Sequence, residues 1–152
     1  MATSTPVPRF VRIGNFFTRS LLRAGVKLVG PGNRPMYLLT VRGRKSGQPR
    51  TTPVVVIEQD GDRYLVAPYG VVDWVRNLRA AGTAILTRGR REERVQAREL
   101  FNDEAGMALK RSLGGGLPSF LAKYFDVTAE SSLEECERAA ELHPVFILQK
   151  AA

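Results

Sequence analysis

The residues best suited to chemistry stand in one run, Gly43-Arg44-Lys45-Ser46-Gly47-Gln48-Pro49-Arg50, with Arg42 just before it. Its two glycines allow a tight turn that brings backbone N–H groups close to a ligand, and Ser46 adds a hydroxyl donor. Arginine and lysine give charge-assisted hydrogen bonds to phosphate and carboxylate oxygens, so the run has the parts of a phosphate cradle. It is not a nucleotide P-loop, because the GxxxxGKS or GxxxxGKT spacing and the helix that must follow are missing. The same composition also suits a basic hairpin loop that serves only solubility, and composition alone does not choose between the two.

The usual catalytic sets are missing. His143 is the single histidine, which excludes a histidine-rich metal site, and no GxSxG elbow occurs. The one cysteine, Cys136, can form no internal disulfide and is too few for zinc. It sits between Glu135 and Glu137, whose charge would raise a thiol pKa and leave it inert. With no strong acid–base pair in view, a bound cofactor is expected to carry the chemistry of any reaction.

Charge singles out the same part of the chain. There are 23 Lys/Arg against 15 Asp/Glu, a net charge of +8. Residues 1–57 hold ten of the cations and no acid, which leaves 13 basic and 15 acidic residues, a net of −2, for residues 58–152. An anionic partner is therefore expected at the first third: a phosphorylated small molecule, a membrane surface or nucleic acid. No nucleic-acid partner is expected, since Phe10, Phe16, Phe17 and Tyr37 are not arranged as a stacking platform and no recognised binding motif is present. At 152 residues, 43% hydrophobic and 25% charged, the chain has the make-up of an ordinary globular protein with a single core. No run nears the roughly 18 apolar residues of a spanning helix, and no secretory pattern opens the chain, so the expected compartment is the cytoplasm.

Two regions must position the loop. In residues 1–34, a mobile terminus precedes a helical pattern in which Phe10, Ile13, Phe17, Leu21, Ala24 and Leu28 recur at spacings of three and four. Arg9, Arg12, Arg19, Arg23 and Lys27 gather on another face, giving a basic amphipathic helix that Gly30-Pro31-Gly32-Asn33 closes. Its apolar stripe suits either the protein's own core or an anionic membrane surface. Residues 35–152 read as one domain, with strands over Met36–Val41, Thr51–Glu58, Arg63–Ala67, Thr83–Thr87, Glu92–Phe101 and Val145–Leu148. Gln59-Asp60-Gly61-Asp62 marks a hairpin. Helices are expected over Asp73–Ala81 with Gly82 at its cap, from Asn102 as a cap to Leu113, for a turn or two over Pro118–Phe125, and to Leu142 from a capping box of Ser131 and Glu134. About six short, mostly antiparallel strands with helices around them predict an α+β, mainly β, small barrel.

The run Leu38-Leu39-Thr40-Val41-Arg42-Gly43-Arg44-Lys45-Ser46-Gly47-Gln48-Pro49-Arg50-Thr51-Thr52-Pro53-Val54 resembles the deazaflavin (F420)-dependent nitroreductase family, reductases of the split β-barrel, flavin-reductase-like superfamily. Arg63-Tyr64-Leu65-Val66-Ala67-Pro68-Tyr69-Gly70 and Trp74-Val75-Arg76-Asn77-Leu78-Arg79-Ala80 resemble it too, and the likeness runs from about Pro35 to Gln149. It implies a split β-barrel and coenzyme F420 as the cofactor, with FMN less suited. It implies that Arg44, Lys45, Ser46, Gly47 and Arg50 hold the cofactor's phosphate and acidic polyglutamate tail. Pro53, Val54 and Val55, then Ala67, Pro68 and Tyr69, would line the ring, and Trp74 and Asn77 would close over it. The implied reaction is hydride transfer from reduced deazaflavin to a hydrophobic electrophilic acceptor such as a quinone, an enone or a nitro compound, with Tyr69 or Tyr124 as proton donor.

The expected substrate wall is Phe17, Phe120, Leu121 and Tyr124. Where nitroimidazole-reducing members carry Pro-Ser-Tyr, this chain reads Pro118-Ser119-Phe120; the lost hydroxyl moves the expectation toward quinone-like acceptors. The resemblance also implies a homodimer, and a membrane-bound helix would place the protein at the inner face of the cell membrane. A non-catalytic carrier of F420 or lipid on the same fold is the alternative reading.

Overall fold

Strand β2 (Arg34–Arg42) turns Leu39 and Val41 into one core, and a period of two does the same along its neighbours. Leu65 of β5 (Asp62–Val66), Leu86 of β6 (Thr83–Arg88), Val95 of β7 (Arg91–Leu100) and Phe146 and Leu148 of β8 (Val145–Lys150) all meet there. These elements belong to a computed structural model that describes residues 29–30, 34–114 and 124–151. The helix expected over Phe10–Leu28 lies outside the described residues, as does most of the turn expected over Pro118–Phe125.

Every strand pairing among the described residues is antiparallel. With β3 spanning Pro49–Val55 and β4 Ile57–Gln59, the order is β3-β2-β6-β7-β8-β5-β4, and the two-residue β1 (Val29–Gly30) pairs with the start of β2. The sequence suggests one strand over Thr51–Glu58; the structure breaks it at Val56, whose fully buried side chain enters the core. The two halves then serve different neighbours, β3 pairing with β2 and β4 with β5. Through this bent strand the two ends of the sheet are joined, which curves it into a barrel around one core. The result is an α+β, mainly β, split barrel.

The β4–β5 hairpin turns on Asp60 and Gly61, both at positive φ (54° and 83°), as a two-residue turn of this hand requires. Helix α1 (Asp73–Ala81) sends Val75 and Leu78 into the barrel core and stops at Gly82, whose φ of 70° lets its N–H reach Leu78 O at 2.8 Å. Helices α2 (Asn102–Leu113) and α3 (Leu133–Leu142) pack outside the barrel over a second cluster that includes Ile57, Tyr64, Leu100 and Val145. Where these helices touch, a Cβ added to Gly106 would lie 2.6 Å from Glu137 Cγ and 3.0 Å from its backbone nitrogen. Gly106→Ala should therefore force the helices apart and cost about 1–3 kcal/mol, read as a lower urea midpoint at unchanged m-value.

Two helix starts differ from expectation. The capping box of α3 is Ser132 with Glu135, not Ser131 with Glu134: Ser132 Oγ accepts the Glu135 N–H at 3.2 Å, and Glu135 Oε2 accepts the Ser132 N–H at 3.0 Å. Ser131 is unavailable because its hydroxyl accepts the Thr128 N–H at 2.9 Å. Helix α2 has Phe101 at its cap position, and Asn102 is its first residue at φ 53°, a left-handed conformation that asparagine tolerates better than most. Among the described residues, no helix is long and apolar enough to cross a membrane.

Candidate active site

The Gly43–Gln48 loop rests on a continuous ladder between β2 and β3, from Met36 opposite Val55 to Arg42 opposite Pro49. Its interior is held by two backbone bonds, Gly43 N–H to Gln48 O at 2.8 Å and Gly47 N–H to Gly43 O at 2.9 Å, and by one to a side chain, Gln48 N–H to Ser46 Oγ at 3.2 Å. Both glycines are needed. Gly47 takes φ 71°, and a Cβ at Gly43 would stand 3.0 Å from Gln48 O.

What remains unused points to an anion. The amides of Lys45 and Ser46 make no hydrogen bond among the described residues. Arg42, Lys45 and Arg50 are exposed, and none has a carboxylate within ion-pair distance among the described residues. Arg63, Arg76, Arg79 and Arg98 each face an acid, whereas Arg88, Arg90, Arg94 and Arg138 do not among the described residues, so it is their gathering at one loop that marks Arg42, Lys45 and Arg50. Three uncompensated cations beside two open amides form a concentrated positive site.

Arg44 is engaged differently. Its N–H reaches Asn77 Oδ1 at 3.2 Å, its Nη1 reaches the same oxygen at 2.8 Å, and its Nη2 reaches Asp73 Oδ1 at 3.4 Å. The loop is thereby latched onto α1. Asn77 is buried, so its oxygen depends on Arg44 for both of these donors. Asp73, which sequence reasoning did not single out, also meets Arg76 at 3.6 Å.

The residues expected to line the ring divide between two faces. Val54 and Ala67 are buried in the barrel core, whereas Pro53 and Val55 alternate onto the opposite face of β3 and are half-buried. Pro68 and Tyr69 are also half-buried. Trp74 packs on the core from α1, its ring centroid 6.1 Å from that of Phe146. Tyr69 and Tyr124, named separately from the sequence, meet edge to face at 4.9 Å and 81°. Burial, and then Tyr124, push the Tyr69 pKa above its ordinary value, so the phenol keeps its proton at neutral pH. Phe17, Phe120 and Leu121 lie outside the described residues. Among the described residues no cluster of side chains could hold a metal ion, and Cys136 is buried, with burial rather than Glu135 the main cause of its raised pKa.

His143 is the residue whose place the sequence did not reveal. It caps α3 two residues before β8, is buried, and lies with Nδ1 3.2 Å from Ala67 O. Burial pushes its pKa down, against the opposing effects of the Ala67, Pro68 and Tyr124 backbone and the Asp126 carboxylate. The fold therefore disfavours the proton: stability from the neutral ring is present above about pH 6.5 and is lost as pH falls through the lower folded-state pKa. Thermal unfolding of the native chain should show a Tm that declines below about pH 6.5, and His143→Asn should flatten that decline.

A family model described as F420H(2)-dependent quinone reductase matches residues 15–121. Among solved structures, the chain is similar to an F420-H2 dependent reductase, FDR-A, at 26% identity over 76% of this chain and 95% of that one, with a TM-score of 0.54. It is also similar to a protein solved as a domain-swapped dimer, at 26% identity over 92% and 97% of the two chains, TM-score 0.57. A protein of unknown function from Agrobacterium tumefaciens shares the fold at 18% identity over 99% of this chain and 60% of that one, TM-score 0.53.

Proposed function

Because this chain belongs to the F420H(2)-dependent quinone reductase family, and so is an oxidoreductase that uses coenzyme F420, we propose that it reduces a quinone-like hydrophobic acceptor with the cofactor held at the Gly43–Arg50 loop. The observation that carries this reading is the group of three cations, Arg42, Lys45 and Arg50, without carboxylate partners among the described residues and next to the open amides of Lys45 and Ser46. That donor set fits a phosphodiester and a string of carboxylates.

When bound, the reduced deazaflavin supplies the hydride. The side chains of Lys45, Arg50 and Ser46 and the open amides of Lys45 and Ser46 grip the anionic tail, and Gly47, at φ 71°, shapes the turn that presents them. Arg44 acts through placement, since its guanidinium is engaged by Asn77 and Asp73 and fixes the loop against α1. Pro53 and Val55 offer apolar contact to the ring, Val54 acts through its backbone, Ala67 sets the path of the chain into Pro68 and Tyr69, and Pro68 and Trp74 help keep water out. Reduction of a quinone to a hydroquinone consumes a hydride and a proton. Tyr69, protonated at neutral pH and braced by Tyr124, is the hydroxyl we assign to the acceptor oxygen. Phe120, without a hydroxyl, and the other wall residues Phe17 and Leu121 make an apolar acceptor the better match than a nitroimidazole.

Trp74 is the only tryptophan, so its emission tests the site directly. Saturable quenching by F420, weaker with FMN, is expected, followed by faster F420H2 oxidation with menadione than with a nitroimidazole. Flat emission with both cofactors would overturn the site, and faster nitro reduction would overturn the acceptor. Likeness to a domain-swapped dimer supports a homodimer, which light scattering would read. The basic stripe of residues 10–28 supports peripheral membrane attachment, which liposome flotation with and without residues 1–30 would test.

A further inference from the structure

We propose that His143 is a positioning residue that holds Tyr69 and Tyr124 in register, bridging the two backbone segments that carry them. The proposal rests on the reading that this tyrosine pair meets the acceptor.

Three contacts converge on residues 143 and 144. His143 Nδ1 lies 3.2 Å from Ala67 O, and since a carbonyl oxygen only accepts, Nδ1 is the protonated nitrogen. The neighbouring residue ties the same place in the opposite sense, Pro144 O accepting the Ala67 N–H at 2.9 Å. On the other side, the His143 ring lies 4.5 Å from that of Phe125, which directly follows Tyr124.

Ala67 O also accepts the Gly70 N–H at 3.2 Å. Two donors on one carbonyl fix the plane of the Ala67–Pro68 peptide, and with it the direction in which Tyr69 leaves the barrel. The backbone of Pro68 and of Tyr124 also faces the imidazole, and Asp126 is the charged group acting on it. His143 itself is 8% exposed and is anchored at the end of α3 by its N–H to Ala139 O at 3.0 Å. An edge-to-face pair drawn from distant parts of the chain needs such a fixed point, because small displacements of reacting groups cost rate steeply.

The single histidine makes the native protein its own first test. Long-range 1H–15N spectra should show the Nδ1–H tautomer, and an Nε2–H tautomer would overturn the proposal. Two variants then separate the donor from the bulk: His143→Asn keeps an N–H near the Nδ1 position, and His143→Leu does not. With labelled tyrosine, a ring-to-ring NOE between Tyr69 and Tyr124 is expected in the native chain and in H143N, and should be lost in H143L. The kcat with F420H2 and menadione should fall about 10-fold or more in H143L, with KM for F420H2 little changed and kcat largely restored in H143N. Survival of the ring contact in H143L, or equal loss of it in H143N, would overturn the proposal; H143N carries the test if H143L fails to fold. Tyr69→Phe distinguishes the two readings. If it retains full kcat while H143L loses the ring contact, His143 positions the pair and the assignment of chemistry to the pair is what fails.

Discussion

Replacing both Lys45 and Arg50 with alanine should weaken coenzyme F420 binding by about 100-fold. Each side chain is exposed at the loop and has no carboxylate partner among the described residues, so its charge is available to a ligand. A hydrogen bond to a charged group contributes about 1.5–3 kcal/mol, and exposure argues for the low end. Two such losses come to about 3 kcal/mol, or about 100-fold in Kd. Quenching of Trp74 gives the measurement. Thermal stability should stay within about 0.5 kcal/mol of the parent, because surface substitutions away from caps and ion pairs rarely do more. Affinity of the native chain should also fall with added salt, and the double variant should lose most of that dependence. Unchanged affinity in the double variant would remove the loop from the site.

Phe146→Ala should be the most damaging single change to stability. Phe146 is 1% exposed at the centre of the barrel and supports Trp74 from below. Truncating a buried phenylalanine costs about 3–5 kcal/mol, because the lost transfer energy adds to that of the cavity. For a chain of this size that corresponds to a fall in Tm on the order of 10 °C. Trp74 rests on the ring being removed, so its emission should move to longer wavelength even in the folded variant, and F420 affinity should fall with it. A stable variant with unchanged Trp74 emission would show that the helix carrying Trp74 is held by other contacts.

Most of the architecture was legible because it is local or periodic. Alternation of apolar residues marks the strands, Asp60-Gly61 marks a two-residue hairpin, and Gly82 marks the end of α1. The departures have local causes too. Ser131 and Ser132 are adjacent and both can cap, and only the Thr128 N–H, which takes the first, selects the second. The apolar run through Val54, Val55, Val56 and Ile57 conceals the break at Val56, since hydrophobicity is the same on both sides of the bend.

By itself, the sequence determined that a basic, glycine-bearing loop lies between two strands, that the chain's positive charge is concentrated in its first third, and which family the chain belongs to. Each of these follows from residue type and spacing along the chain. Only the tertiary structure decided how the loop is held. Arg44 and Asn77 are 33 residues apart and His143 and Ala67 are 76 apart, yet both pairs are within hydrogen-bond distance. No periodicity links such positions; they meet because the barrel closes and α1 and the end of α3 come to rest against it. Closure leaves Arg42, Lys45 and Arg50 without acids among the described residues while satisfying Arg44, and it turns two separately named tyrosines into one pair.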